Sequence, residues 1–398
     1  MARTIITGID IGTYQVKVVV AELVSGEGKS APRILATGIA ESKGLRHGYI
    51  LNTEDVTESI SIAVAQAEKS SGVHIRRAYI SVGGIGLSGV TSVGQTIVSK
   101  ADLEITELDI AKAIDMCESE IPQALIQNRR VLHAIPISYK IDGKIVLGNR
   151  PMGMRGAKLE VKMLFVTCLE PHLADLMQAM DKTGIEVIDV LASPIAASVV
   201  TLTKAQKIAG CVLANIGAET ISIVVYENNL PISLEVFPIG STDITHDIAL
   251  GLKVPIEEAE NIKIGAVTQT NVSRKKLDEI VHARLSDMFE LIEAHLKKIG
   301  RNGMLPAGIF ITGGGGGIGT IEDFAKAALK LPSKVATLSI GEKGKVTDST
   351  WSVAFGLCVV GFSKDDQRLL VEASVVLVSL SRDFKPSPIP EQIRRRLE

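Results

Sequence analysis

A two-part α/β fold built by internal duplication is predicted for this 398-residue chain by three observations. The stretch Thr7-Gly8-Ile9-Asp10-Ile11-Gly12-Thr13-Tyr14-Gln15-Val16-Lys17 reads as an apolar strand, an acidic residue, a glycine-bearing turn and a second apolar strand to Leu23. Leu213-Ala214-Asn215-Ile216-Gly217-Ala218-Glu219-Thr220-Ile221-Ser222 repeats that plan about half a chain later, aligning Asp10 with Asn215 and Gly12 with Gly217. Finally, the predicted strand Ala307–Ile311 runs into an unbroken glycine run, Gly313 to Gly317, that feeds a helix from Ile321.

A hairpin turn of this kind aims several backbone N–H groups at one point and makes an anion nest. Asp10 beside the nest suits a divalent cation travelling with a nucleotide phosphate. Either hairpin alone also reads as an ordinary surface turn. The repeat favours two related domains that clamp one phosphate chain from both sides.

Composition excludes several classes. Apolar residues make up 46 % and charged residues 22 %, ordinary for a globular protein. A net charge of −2 gives no basic field for nucleic acid. Cys117, Cys168, Cys211 and Cys358 are scattered, without zinc-ligand spacing, and read as small buried apolar residues. No apolar run reaches membrane-spanning length, and no signal-peptide pattern opens the chain, so a cytoplasmic location is expected. Ala373–Leu380 reads as an edge strand or core segment.

Taken in order, residues 1–83 read as three strands, a helix starting at Thr53 and a strand, Arg77–Val82. Residues 84–162 change character and read as a small α+β insertion, with a capping-box start at Thr106-Glu107-Leu108-Asp109. Leu159–Thr167, a helix from Pro171 and the strand Glu186–Leu191 follow, and Ser193-Pro194 opens an Ala-rich helix crossing between the domains. The second half opens with its own hairpin and a third strand to Phe237. Ser241 or Thr242 is expected to cap a helix stopped by Gly251, and Pro255 to open another. A long helix, about Lys275 to Ile299, carries an apolar stripe from Leu277 to Ile299. Ser349 is expected to cap a last helix to Gly361.

The glycine run lacks the Lys-Ser/Thr of a Walker A loop and is no dinucleotide fingerprint. Glu260 and Lys263 share one helix face, either as a solvated ion pair or as a cleft-facing pair that hydrogen-bonds ribose or adenine.

These features together resemble the actin/sugar-kinase/heat-shock-chaperone ATPase superfamily. Arg130-Val131-Leu132-His133-Ala134-Ile135-Pro136, Asn149-Arg150-Pro151-Met152-Gly153-Met154, Gly240-Ser241-Thr242-Asp243-Ile244-Thr245-His246-Asp247 and Glu257-Glu258-Ala259-Glu260-Asn261-Ile262-Lys263 are similar to FtsA, the bacterial cell-division actin homologue. The resemblance covers about residues 4–362. It implies duplicated actin-like (ribonuclease H-like) ATPase domains around a nucleotide cleft, with the FtsA-type subdomain at 84–162. On this division the first core is 1–83 and 163–194, and the second is 195–237 and 305–381. A helical subdomain, 238–304, covers the nucleotide, and 382–398 is a basic tail.

The implied cofactors are ATP and Mg2+. Asp10, Gly12, Thr13, Tyr14 and Lys17 would form the first phosphate site, and Asn215, Gly217, Ala218, Glu219 and Thr220 the second. Glu260, Lys263, Gly313, Gly314, Gly315 and Gly316 would hold adenosine, and Asp10, with Asn215 as a second candidate, would hold magnesium through water. The implied partners are the tail of the tubulin-like division protein FtsZ, bound on the 275–299 helix, further copies of the chain in a filament, and the inner face of the cell membrane at the division site.

Two departures from the family pattern shape the expectations. Asn215 and Glu219 stand where the family usually has Asp and Gly, so Glu219 must point outward or recruit the metal. Nucleotide binding with slow hydrolysis follows. Residues 382–398 carry only Phe384, Ile389, Ile393 and Leu397 as large apolar residues, beside Arg394, Arg395 and Arg396, a short basic segment suited to anionic lipid. The alternatives are a pilus or secretion scaffold, which the 84–162 insertion argues against, and a sugar-kinase-like phosphotransferase, which lacks a late D-x-G base.

Overall fold

The computed structural model describes residues 4–25, 30–266, 273–340, 344–346 and 348–365. The chain opens with the expected hairpin. β1 (Ile5–Ile11) and β2 (Gln15–Ser25) run antiparallel with Asp10 opposite Lys17, and β3 (Ser30–Glu41) continues along β2. A short finger follows, β4 (Leu45–Arg46) and β5 (Tyr49–Ile50). The first long helix, α1 (Thr53–Ser71), is capped by Asn52, whose side chain accepts from the Glu54 and Asp55 N–H groups. Thr53 is therefore its first turn and not its cap. Val56, Ile60, Ala63 and Ala67 bury its inner face, and Gly72 ends it in the left-handed conformation. β6 (Arg77–Val82) then runs parallel to β1.

The next stretch builds a separate sheet from β7 (Leu87–Ile97), β8 (Arg129–Ile141), β9 (Lys144–Ile145) and β10 (Lys158–Leu169), in the order β7-β10-β8-β9. Between β7 and β8 lie α2 (Glu107–Ser119), closed by the expected Thr106–Asp109 capping box, and the short α3 (Gln123–Ile126). Ala113 and Cys117 of α2 share a core with Leu159, Val161 and Phe165 of β10. The chain returns through α4 (Glu170–Thr183), β11 (Glu186–Ala192), α5 (Ser193–Thr201) and α6 (Lys204–Ala209).

The second half consists of β12 (Cys211–Ile216), β13 (Ile221–Glu227), β14 (Leu230–Phe237), α7 (Ser241–Leu252), α8 (Ile256–Lys263), α9 (Arg274–Lys298), β15 (Gly308–Thr312), α10 (Ile321–Leu329) and β16 (Ser333–Val335). A small hairpin, β17 (Leu338–Ile340) and β18 (Gly344–Val346), precedes α11 (Ser352–Asp365). The two large sheets are copies of one plan. β3-β2-β1-β6-β11 and β14-β13-β12-β15-β16 have the same order, three antiparallel strands and then two parallel additions.

α5 and α11 pack against each other between these sheets, in a core that includes Ile6, Val19, Leu213, Val224 and Phe355. Their backbones touch: a Cβ on Gly356 would lie 1.9 Å from the Ala196 carbonyl oxygen. All four cysteines are buried and free, as expected.

Three helix ends differ from expectation. Gly240 caps α7, its N–H donating to the Asp243 carboxylate at 2.7 Å, because the hydroxyl residues already lie inside the helix. That helix ends at Lys253 in the left-handed region, past Gly251. Asp348, and not Ser349, caps a short 3-10 turn before α11. The Ala373–Leu380 segment and the basic tail lie outside the described residues. Among the described residues no helix is long and apolar enough to cross a membrane.

Candidate nucleotide site

Both hairpins close by the same bond. The Gly12 N–H donates to the Gln15 carbonyl at 3.2 Å, and the Gly217 N–H to the Thr220 carbonyl at 2.8 Å. The flanking pairs Ile11–Val16 and Ile216–Ile221 match as well. The Ser81 hydroxyl donates to Asp10 at 2.8 Å. Burial pushes the Asp10 carboxyl above its ordinary value, although Lys17 and Ser81 oppose the shift. The Lys17 ammonium, pushed down by burial against the pull of Asp10 and Asp348, lies 5.9 Å from the Trp351 ring centre. Neither charge fully compensates the other. An anion near Lys17 and a cation near Asp10 would each offset the cost of burial, so the residues present fit a metal–phosphate group.

The second hairpin stands on Thr312, the parallel partner of Asn215. The Thr312 hydroxyl donates to the Ser349 carbonyl at 2.9 Å and lies 3.0 Å from the Ser352 hydroxyl. Trp351 stands at Lys17 and its neighbours hold Thr312, so the start of α11 joins the feet of the two hairpins. Ser81 and Thr312 were missed in the sequence, yet they occupy matching places. Tyr79-Ile80-Ser81-Val82-Gly83-Gly84 and Phe310-Ile311-Thr312-Gly313-Gly314-Gly315 are a second internal repeat, apolar residues, a hydroxyl and glycines, that could have revealed them.

The glycine loop leans on the second hairpin. Gly313 has φ +86, and a Cβ there would lie 2.4 Å from Asn215 Oδ1; one on Gly315 would lie 2.3 Å from Ile216 Cγ2. A Cβ on Gly314 would meet nothing within 4 Å, and Gly316 is buried over Ile311. Gly314 therefore presents the bare, open backbone.

In the Glu260–Lys263 pair the ammonium is buried, while the Glu260 side chain stays 41 % exposed. Lys263 Nζ lies 2.7 Å from Glu260, with its side chain 10 % exposed. It also donates to the Thr245 hydroxyl at 2.8 Å and the Ser241 carbonyl at 3.2 Å. The Thr245 hydroxyl donates to Glu260 at 2.6 Å. Burial raises the Glu260 pKa, but these hydrogen bonds prevail and hold it below its usual value. Ser241 and Thr242 donate their N–H groups to the Gly217 and Ala218 carbonyls at 2.9 and 2.8 Å, which fixes α7, and with it this pair, beside the second hairpin.

Two predicted positions depart from a phosphate-contact role. Glu219 turns its carboxylate to the His47 N–H, 2.5 Å away on the opposite half, so it is engaged there and not offered to a cofactor. Tyr14 is 63 % exposed at the tip of its turn. Thr13, Ala218 and Thr220 are half-buried along the two turns. Asp247 is held by Arg284 at 2.6 and 3.0 Å, joining α7 to α9, which makes it structural, while His246 is exposed. Among the described residues no group of three or more His, Cys, Asp or Glu is placed to hold a metal. A cation here would take most of its ligands from phosphate and water.

The sequence profile described as cell division protein FtsA matches residues 212–356, and that described as the SHS2 domain inserted in FtsA matches residues 84–167. The cell division protein FtsA of Pseudomonas aeruginosa is 29 % identical, over 98 % of this chain and 96 % of the relative. The chain belongs to the FtsA family. The FtsA proteins of Borreliella burgdorferi and Bacillus subtilis are 29 % and 27 % identical over 90 % and 83 % of this chain, and over 91 % and 78 % of their own lengths. Among solved structures, the PilM-PilN type IV pilus biogenesis complex aligns with a TM-score of 0.66 at 16 % identity, over 90 % of this chain and 99 % of that one. MreB5 of Spiroplasma citri bound to ADP aligns at 0.53 and 13 % identity, over 91 % and 96 %. These likenesses establish the actin-like fold of this FtsA-family chain, with the family's insertion in its first half.

Proposed function

We propose that this FtsA-family protein binds ATP with Mg2+ in the crevice between its two halves, assembles into filaments, and tethers FtsZ to the cytoplasmic face of the membrane at the division site. The observation that carries the nucleotide reading is the junction at the start of α11. It brings the undercompensated Asp10–Lys17 pair and the foot of the second hairpin to one place. In this reading the N–H groups of Gly12, Thr13, Gly217 and Ala218 bind phosphate, and Lys17 adds charge. Asp10 would hold the metal through water, with Asn215 as a second candidate. Glu260 and Lys263 bind the ribose or base, and Gly314 lets it approach the backbone. The bound metal neutralises charge on the phosphates. Asn215 cannot contribute the second carboxylate that would fix the metal and polarise a water, so turnover is slow.

FtsZ docking falls to the surface of α9 and lipid contact to residues 382–398. Trp351, the single tryptophan, supplies the test. Mg-ATP should change its fluorescence saturably, Lys17→Ala should abolish the change, and turnover should stay well below ~1 s⁻¹. A silent Trp351 together with no retention of labelled nucleotide would refute the reading. Co-sedimentation with an FtsZ tail peptide, and with anionic liposomes with and without residues 385–398, tests the tether. The fold likeness to PilM keeps a pilus scaffold as the second reading, and the FtsZ arm separates the two.

A further inference from the structure

The two halves meet at the second hairpin turn through a contact that the nucleotide reading does not use. Glu219 occupies the third position of the second turn, where the first turn has Tyr14. Tyr14 points to solvent, whereas Glu219 reaches residue 47 of the opposite half. Its carboxylate accepts the His47 backbone N–H at 2.5 Å, and its own carbonyl lies 3.2 Å from His47 Nδ1. One residue thus makes two bonds to one partner 172 positions away in the chain.

The receiving turn is held rigidly. His47 lies at φ +48 and Gly48 at φ +83. Gly48 presses on Gly84, itself at φ +79; a Cβ on Gly48 would come within 2.3 Å of the Gly84 Cα. The Ile85 N–H donates back to the His47 carbonyl at 3.1 Å. Behind them the Tyr49 ring packs edge-on against His172, whose Nε2 lies 3.2 Å from the Gly83 carbonyl. The His47 N–H is therefore aimed at the second hairpin by a stack of backbone turns in which Gly48 and Gly84 leave no room for a side chain.

We propose that Glu219 is a clasp between the lobes, closing the crevice mouth on the His47 turn and setting the rate at which nucleotide enters and leaves. A carboxylate accepting a backbone N–H is among the stronger hydrogen bonds available. It lies at the turns, apart from the two buried junctions of the halves, the α5–α11 core and the packing of Leu234 and Val236 against the first half. The arrangement also removes a liability. A free carboxylate on a phosphate-binding turn repels the ligand, and Glu219 held by His47 is turned away from it.

The effect on nucleotide rests on the reading above; the clasp itself does not. The test therefore has two arms on the full chain. In nucleotide-free protein, hydrogen–deuterium exchange of the peptide spanning residues 44–51 should rise about tenfold in Glu219→Ala. The rise should be smaller in Glu219→Gln, which keeps an acceptor oxygen. His47→Ala retains the backbone N–H and should change exchange less than Glu219→Ala. In the second arm, release of mant-ATP with Mg2+, followed by stopped flow, should accelerate about tenfold in Glu219→Ala. If exchange at residues 44–51 is the same in wild type and Glu219→Ala, the clasp is refuted. Unchanged release with increased exchange refutes its control of nucleotide. Failure of wild-type protein to bind mant-ATP refutes the nucleotide reading, and the exchange arm still decides the clasp.

Discussion

The two hairpins have the same geometry and opposite chemistry. In the first, the strand pair carries Asp10 opposite Lys17, a partly neutralised charge pair beside Trp351. In the second, the same two positions are Asn215 and Ser222, both neutral, and the turn's one carboxylate is spent on the other lobe. Duplication has kept the backbone, which any sequence with glycine at the turn can form, and has let the side chains diverge. The first half supplies charge; the second supplies shape, through a glycine loop pressed onto Asn215 and Ile216.

The sharpest way to break this comparison is to insert one methyl group into the second half. Gly313→Ala places a Cβ 2.4 Å from Asn215 Oδ1 at φ +86 and should destabilise the protein by about 3 kcal/mol in urea unfolding. Its neighbour is the control: Gly314→Ala meets nothing within 4 Å and should leave stability unchanged while weakening nucleotide binding. Equal stability losses for both would mean that the loop is not seated as described. Next in size is Asp10→Asn, which should weaken Mg-ATP about 30-fold by loss of a charged, metal-orienting group, read by Trp351 fluorescence. The reciprocal Asn215→Asp should leave affinity within a few-fold and raise turnover. If the two exchanges have the same effect, the hairpins are chemically equivalent and the division of labour fails.

Acid acts on a buried histidine in each half. Burial lowers the pKa of His172 in the first half; the second half buries His295, with Nε2 2.8 Å from the Ser233 hydroxyl and Nδ1 3.5 Å from Glu235, and burial holds its pKa down to about 4. The native imidazole stays neutral while the unfolded chain takes up a proton near pH 6.5, so stability falls as pH drops from 6.5 towards 4. Between pH 7 and pH 5 this amounts to about 2 kcal/mol, and His295→Gln should remove most of that pH dependence in urea melts. Asp10 has the opposite sign: its raised pKa favours the folded protein as pH falls. The smallest expected effect is Glu260→Ala, about 1 kcal/mol, because Lys263 keeps the Thr245 hydroxyl and the Ser241 carbonyl.

Much of this was legible in the sequence because it is local. Strand–turn–strand with glycine, the capping box at Thr106 and the apolar stripe of α9 are each encoded within a few residues of one another. What escaped depends on residues brought together from far apart. The Ser81 hydroxyl reaches Asp10 across 71 positions, and the fate of Glu219 depends on a turn 172 positions away. No periodicity reports such a pairing. The misplaced caps have a simpler cause. Asn52, Gly240 and Asp348 each stand beside a second competent capping residue, and the choice between neighbours is made by tertiary packing.

The contact between Gly356 of α11 and the Ala196 carbonyl of α5 has a mechanical consequence. Two helices whose main chains touch have no side-chain layer to slip over, so sliding one past the other would require the axes to separate first. Rotation about the point of contact keeps the axes together and works against the second place where the halves join, Leu234 and Val236 of β14 in a core with Leu87 of β7 and Leu164 of β10. A turn about this contact would move one half relative to the other, and with it the His47–Glu219 contact that joins them. A side chain larger than hydrogen at position 356 would act as a wedge between the two helices, altering the resting angle of the whole molecule from a site remote from any ligand.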